Sequence, residues 1–255
     1  MTKPMPKLSL LTPTYNRQAY LPLLAEAMAA QTATNYEWIV LDDSPEPVQL
    51  SGKNLTYIHM EERLSVGKKR NILAEQASGD ILIHIDDDDY YGPNYAANMA
   101  KSLIEEKADM LLLSGFLCSD LRYPAHGWYL PAIKQSVGFN FGKDGPIPLD
   151  LGKLKLPLIH LCFGFSYAYT KALWQQQKFP ELNAFEDREF TRQALINHKV
   201  ITREDRDNDV IHTVHGGSTS NCFPQYMIPE FMIERMLPDG FAHLQRLREL
   251  VKQGL

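Results

Sequence analysis

Over the first 114 residues the hydrophobic positions form short runs separated by longer stretches of helical spacing. Residues 8–11, 38–41, 55–60, 81–85 and 110–114 are mostly apolar runs of strand length, as expected for strands of a buried sheet. Residues 20–31, 66–77 and 94–106 carry apolar residues at helical intervals, and Gly79 follows the second of these as a helix-closing glycine would. This alternation predicts an α/β fold with a mostly parallel, Rossmann-like sheet flanked by helices. Beyond Gly115 the period is lost until Gly164, and Gly138, Gly142, Gly145, Pro146 and Pro148 predict a long loop of the kind used as a lid or binding element. Helices are predicted over 171–177 and 187–197, and a strand over 210–214. Residues 241–252 form an amphipathic helix with Leu244, Leu247 and Val251 on one face. Packing of that helix on the core is favoured over contact of its arginines and Lys252 with anionic lipid. The pattern divides at 114/115 into two halves of one continuous domain.

The chain is 44% hydrophobic and 22% charged, ordinary for a soluble globular protein, and its net charge of −5 gives no basic field for nucleic acid. Cys118, Cys162 and Cys222 are an odd number at wide spacing, which argues against a disulfide framework and for a reducing compartment. No apolar signal core follows the two lysines of residues 1–7, and no apolar run is long enough to span a bilayer. The expected location is the cytoplasm, or the inner face of the membrane through peripheral contact.

The chemistry concentrates at strand ends. The run Ile81-Leu82-Ile83-His84-Ile85 breaks into four consecutive aspartates, Asp86 to Asp89. Adjacent carboxylates at the end of a buried strand need a compensating cation, and open α/β sheets bind ligands beyond the carboxyl ends of their strands. Thr12-Pro13-Thr14-Tyr15-Asn16-Arg17 follows the first strand, and Tyr15 offers a face on which a base stacks. Asp42-Asp43-Ser44 follows the second, where a carboxylate accepts hydrogen bonds from a base or a ribose hydroxyl. Val66-Gly67-Lys68-Lys69-Arg70-Asn71 brings three cations to a helix N-terminus, a setting suited to a diphosphate or, equally, to a solvated basic turn.

The ordered set TPTYNR, VLDDS, VGKKRN and the DxD of Asp86-Asp87-Asp88 resembles the family 2 glycosyltransferases of GT-A fold. The resemblance implies that the N-terminal half binds a nucleotide-sugar, with a UDP-hexose expected, and that the C-terminal half binds the acceptor. It implies that Thr12 and Tyr15 border base and ribose, that Asp43 bonds uracil, that Arg70 lies near the phosphates and that Asp86 contacts ribose or sugar. Asp88 would hold a divalent metal, Mn2+ or Mg2+, with Asp87 and Asp89 as alternatives in register. Late histidines in such enzymes reach the metal, which singles out His215, before Gly216-Gly217, over His212. The Glu186-Asp187 pair matches the family's catalytic ED motif, with Asp187 as general base and Glu186 as second choice. A carboxylate there takes the proton of an attacking sugar hydroxyl. Tyr91 and Trp128 are candidate sugar platforms, and Ser166 lies in a segment, Gly164-Phe165-Ser166-Tyr167, that resembles the lining of the sugar cavity.

The expected activity is therefore inverting, metal-dependent transfer of a sugar to a hydroxyl of a glycan or lipid-linked saccharide, as in polysaccharide biosynthesis. The absence of a bilayer-spanning run argues against a processive synthase. A haloacid-dehalogenase-type phosphotransferase would place its DxD after the first strand. A non-catalytic nucleotide-sugar-binding module would need no Glu186-Asp187 pair. Glycosylation of modified DNA fits poorly with the acidic balance.

Overall fold

The computed structural model describes residues 6–123, 125–130, 137–142, 145–150, 163–218, 222 and 224–254. The elements run β1 (Leu8–Thr14), α1 (Leu21–Ala29), β2 (Tyr36–Asp42), β3 (Leu55–His59), α2 (Val66–Gln76), β4 (Ile81–His84), β5 (Tyr90–Tyr91), α3 (Tyr95–Glu105) and β6 (Met110–Asp120). They continue with β7 (Ala125–Tyr129), β8 (Val137–Gly142), β9 (Gly145–Asp150), β10 (Ala168–Thr170), α4 (Lys171–Gln176), α5 (Glu186–Asn197), β11 (Val200–Glu204) and β12 (Val210–Val214). The last are β13 (Tyr226–Met227), α6 (Glu230–Met236) and α7 (Pro238–Lys252). The main sheet has the order β13-β7-β6-β10-β4-β1-β2-β3, with β11 and β12 also on β6 and β5 on β12. Strands β3, β2, β1 and β4 are mutually parallel, and β10 enters antiparallel between β4 and β6.

Both faces of this sheet are covered, which explains the mostly apolar runs. Alternate residues point to opposite sides. Leu8, Leu10, Trp38, Val40, Ile81, Ile83, Leu111 and Leu113 meet Leu21, Leu24 and Met28 of α1 and Tyr95, Met99 and Leu103 of α3. Leu11, Ile39, Leu41, Leu82, Met110 and Leu112 meet Leu73 of α2, Leu173 and Trp174 of α4 and Phe190 of α5. The polar loops at the carboxyl ends of β1, β2 and β4 consequently lie at one rim of a three-layer structure. In α7, Leu244 and Leu247 are buried, Arg246 pairs with Glu26, and Arg248 with Glu230. The helix is packed on the core, and those arginines are held by carboxylates.

Three sequence expectations are corrected. The strand expected to stop at 114 runs on to Asp120. Gly115 does not end it; a side chain there would strike Leu130, and the register of β11 shifts opposite it, so the glycine serves an irregular ladder. Part of the long loop expected over 115–164 is instead strand β7 and the antiparallel hairpin of β8 and β9, which holds the glycines and prolines. Residues 131–136 and 151–162, which include Cys162, lie outside the described residues. Gly79 does not cap α2, which ends at Ala77 in extended conformation. A Cβ on Gly79 would lie 2.7 Å from the Lys7 carbonyl oxygen, so the glycine is needed for close approach to β1.

Gly67 ties the start of α2 to the segment before α5. Its N–H donates to the Leu182 carbonyl at 3.0 Å, and a Cβ there would lie 1.8 Å from the Pro180 carbonyl oxygen. Gly67→Ala should destabilise the protein by about 1–3 kcal/mol through forced overpacking. Gly216→Ala, where nothing lies within 4 Å, should leave the melting temperature unchanged. Thermal unfolding of the two variants side by side checks the contrast.

Candidate active site

Five chain segments meet at the rim: the ends of β1, β2 and β4, the start of α5 and the end of β12. Arg70, on the inner face of α2, is the cation shared by the end of β4 and the start of α5. Its Nε lies 3.2 Å from Glu186 Oε1 and its Nη1 2.5 Å from His84 Nδ1. A guanidinium only donates, so His84 Nδ1 accepts, and the ring proton rests on Nε2, 3.0 Å from the Tyr169 hydroxyl. Burial and the Arg70 charge hold His84 well below the usual histidine pKa. Burial opposes the charge on Arg70, but Asp86, Glu186 and Asp187 more than offset this and raise its pKa. The helix turns Arg70 inward, where it gathers the two acidic motifs around one charge.

That arrangement separates the two residues of the ED pair. Glu186 is buried and bound to Arg70. Asp187 is half-buried; its Oδ1 accepts the Arg188 N–H at 2.6 Å. Burial and the neighbouring Glu186 charge raise its pKa, making it a stronger base than a free aspartate. Phe185, just before them, adopts the left-handed conformation at φ 66°, a strained state for an aromatic residue that aims the first turn of α5. Gly164 lets its loop pass the site: a Cβ would stand 2.4 Å from Arg70 Nη2 and 3.5 Å from Asp187 Oδ2.

The four aspartates have different surroundings. Asp89 is buried; both its oxygens lie 3.0 Å from His212 Nδ1, and Oδ1 accepts the Thr213 N–H at 2.7 Å. Burial disfavours charge on His212, but Asp89 outweighs it and lifts the histidine to about 9. The ring stacks on Phe165 at 4.3 Å. Asp86, Asp87 and Asp88 are only half-buried. Burial, partly countered by Arg70, pushes Asp86 up to about 7, and burial with the Asp88 charge raises Asp87 well above the carboxylate range. Asp88 is held below that range despite burial, chiefly by His215, whose Nε2 lies 2.9 Å from Oδ2. The His215 Nδ1 accepts the Gly217 N–H at 3.2 Å, and the ring stacks on Tyr20. Arg17 faces the cluster, 3.8 Å from Asp87 and 3.7 Å from Asp88, and donates to the Gly217 carbonyl.

Asp88 and His215 therefore stand together as an oxygen and an imidazole donor, beside carboxylates whose charge Arg17 answers only in part. This donor chemistry fits a divalent ion of the manganese type. Among the described residues, no three acidic, histidine or cysteine side chains converge as a complete metal cage.

At the end of β2, Asp43 is buried and hydrogen-bonded by Lys69 Nζ at 2.9 Å, Arg63 Nη1 at 2.6 Å and the Leu64 N–H at 2.7 Å. Burial raises its pKa, but these donors, Lys69 first, bring it below the ordinary value. Tyr15 lies beside it, with the Arg63 guanidinium carbon 3.4 Å from the ring centroid.

Three expected contacts are corrected. Thr12 is fully buried, and its hydroxyl accepts the Trp38 indole N–H at 3.0 Å, so its side chain cannot border a nucleotide. Tyr91 is buried against Tyr95, and its hydroxyl accepts the Asp86 N–H at 2.8 Å; it braces the acidic loop and offers no face to a sugar. Ser166 is buried and donates to the Phe163 carbonyl at 2.9 Å. Trp128 is only partly buried where it packs on the cluster beneath α6 and α7 that includes Ile211 and Leu244. Sequence reasoning missed His84 and Arg63, and it read Lys69 as one of three cations for a diphosphate where the side chain holds Asp43. His84 carried a signal, as a polar residue inside an otherwise apolar strand.

A family model described as glycosyl transferase family 2 matches residues 9–172. WcaA of Escherichia coli K12, named as a colanic acid biosynthesis glycosyl transferase, is 33% identical over 253 residues, covering 96% of this chain and 86% of that protein. The crystal structure of Staphylococcus aureus TarS 1-349 in complex with UDP-GlcNAc is similar at a TM-score of 0.58 and 20% identity, covering 96% of this chain and 71% of that one. A Pyrobaculum calidifontis mannosyltransferase in complex with GDP-Man and Mn2+ is similar at a TM-score of 0.54 and 16% identity, covering 84% and 58%. These two structures share the GT-A type of fold with this chain. The chain spans 31% or less of the length of several curated relatives it matches, TarS included.

The Arg70–Glu186 pair is buried at both ends. Arg70→Met should leave Glu186 without its cation and cost about 3–5 kcal/mol of stability. The double variant Arg70→Met/Glu186→Gln should recover much of that loss. A double-mutant cycle on unfolding free energies measures the coupling.

Proposed function

The chain belongs to glycosyl transferase family 2, and we propose that it transfers a sugar from a nucleotide-sugar to an acceptor hydroxyl with inversion at the anomeric carbon. The observation that carries this is Asp187, a half-exposed carboxylate of raised basicity whose neighbour Glu186 is committed to Arg70. In the proposed reaction Asp187 accepts the proton of the acceptor hydroxyl as that oxygen attacks the anomeric carbon. Arg17 stands at the acidic strand end to offset charge on the departing diphosphate. Asp88 and His215 would hold a divalent ion, whose chemistry is Lewis-acid stabilisation of the leaving diphosphate. Tyr15 and Asp43 form the base pocket, and Asp86 faces ribose or sugar.

A UDP-sugar is the proposed donor. The UDP-GlcNAc complex of TarS supports it, and the GDP-Man and Mn2+ of the mannosyltransferase support a nucleotide-sugar with a metal more broadly. WcaA's name supports a growing polysaccharide or lipid-linked saccharide as acceptor, reached from the cytoplasmic side by peripheral contact. Among the described residues no helix is long and apolar enough to cross a membrane. A haloacid-dehalogenase reading is disfavoured because the acidic motif follows β4, and a purely binding module leaves the basicity of Asp187 without a use.

Asp187→Asn keeps the acceptor for the Arg188 N–H but cannot take a proton. Turnover should fall roughly a hundredfold to ten-thousandfold, with UDP affinity and melting temperature close to wild type. Steady-state kinetics with calorimetric UDP binding test this; wild-type turnover in the variant would remove Asp187 from the chemistry. EDTA should abolish transfer and Mn2+ should restore it better than Mg2+, with His215→Ala erasing that preference. Full activity in EDTA would exclude an ion from the reaction.

A further inference from the structure

The partners of Asp43 are of two kinds. Lys69 is buried, and it and the Leu64 N–H are fixed parts of the wall. Arg63 is different: its side chain is 49% exposed and comes from the loop between β3 and α2. Its Nη1 lies 2.6 Å from both oxygens of Asp43, and its guanidinium carbon lies 3.4 Å from the centroid of the Tyr15 ring. A flat, delocalised group thus lies on the tyrosine face and points an N–H at the carboxylate. These are the two contacts that a nucleobase needs in this slot: a stacking face and an acceptor for a ring N–H.

We propose that Arg63 is an internal stand-in for the nucleobase, so that donor binding is an exchange in which the base displaces the guanidinium from Tyr15 and Asp43. The inference rests on the base pocket proposed above and adds the residue that competes for it. Asp43 cannot serve both partners at once, because Lys69 and Leu64 already occupy its remaining acceptor directions. The exchange keeps the buried carboxylate paired in both states. Without the stand-in, an empty pocket would hold an acceptor short of a donor, so the slot is closed whenever no base is bound. Apparent nucleotide affinity is then the intrinsic affinity reduced by the fraction of molecules in which Arg63 has left. Arg63 is not buried, so its departure exposes little apolar surface, and the long side chain has solvent to move into.

The consequence is opposite to that of an ordinary cation near a phosphate ligand. Removing Arg63 should strengthen binding of the base while leaving the diphosphate contacts alone. Exposed ion pairs and stacked cations are individually weak, so Arg63→Gln should tighten UDP and uridine by the same factor, roughly three- to thirtyfold. Affinity for inorganic pyrophosphate should not change. Calorimetric titration of wild type, Arg63→Gln and Tyr15→Ala with UDP, uridine and pyrophosphate reads all three effects, and Tyr15 is half-exposed, so its variant retains the core. Tighter uridine in Arg63→Gln with weaker uridine in Tyr15→Ala supports the exchange. Weaker or unchanged uridine in Arg63→Gln, with uridine lost in Tyr15→Ala, would overturn the exchange and keep the base pocket. Unchanged uridine in Tyr15→Ala would overturn the pocket and the exchange together. Equal tightening of pyrophosphate and uridine would also overturn it, because the effect would then be on the whole site and not on the base.

Discussion

Arg70 is the interaction on which the site depends. It stands on the buried face of α2, yet it is the charge neighbour of Asp86 after β4 and of Glu186 and Asp187 at the start of α5. Without a cation between them, three carboxylates from distant parts of the chain would repel one another in a poorly hydrated rim. With it, they are drawn to a common centre, and His84 is kept neutral behind them. The pairing has a chemical result. Arg70 takes Glu186 for itself, and the adjacent Asp187 is left half-exposed and more basic than usual.

A second balance operates at the acidic strand end. Asp89 and His212 form a buried pair that anchors the loop to β12, while Tyr91 braces it through the Asp86 N–H. This frees Asp86, Asp87 and Asp88 to face the rim, with Arg17 and His215 as partial counter-charges. Burial, with the neighbouring carboxylates adding to it, raises the pKa of Asp86 and Asp87.

The alternation of apolar runs and helical periods was enough to read the central sheet, because a sheet covered on both faces writes itself as mostly apolar runs. The hairpin of β8 and β9 was illegible because glycine and proline signal turns more strongly than short edge strands signal themselves. At the site, the aspartates and the ED pair stood out because runs of carboxylate have no packing use. The roles of their neighbours did not. Arg70 and Thr12 were placed toward ligand by motif position, but the face on which each lies is set by helix phase and strand alternation, and both point inward. Tyr91 was misjudged for the same reason. Arg63 gave no signal, since a lone arginine in a polar loop looks solvated until its contact with Tyr15 is seen.

With Glu186 bound to Arg70, Asp187 is the carboxylate of the ED pair that the proposed single displacement uses as its base. The most direct measurement is the anomeric configuration of the transferred sugar, read by proton NMR of the product formed from an α-linked nucleotide-sugar. A β-linked product is expected. An α-linked product would mean retention, and the role given to Asp187 would be contradicted.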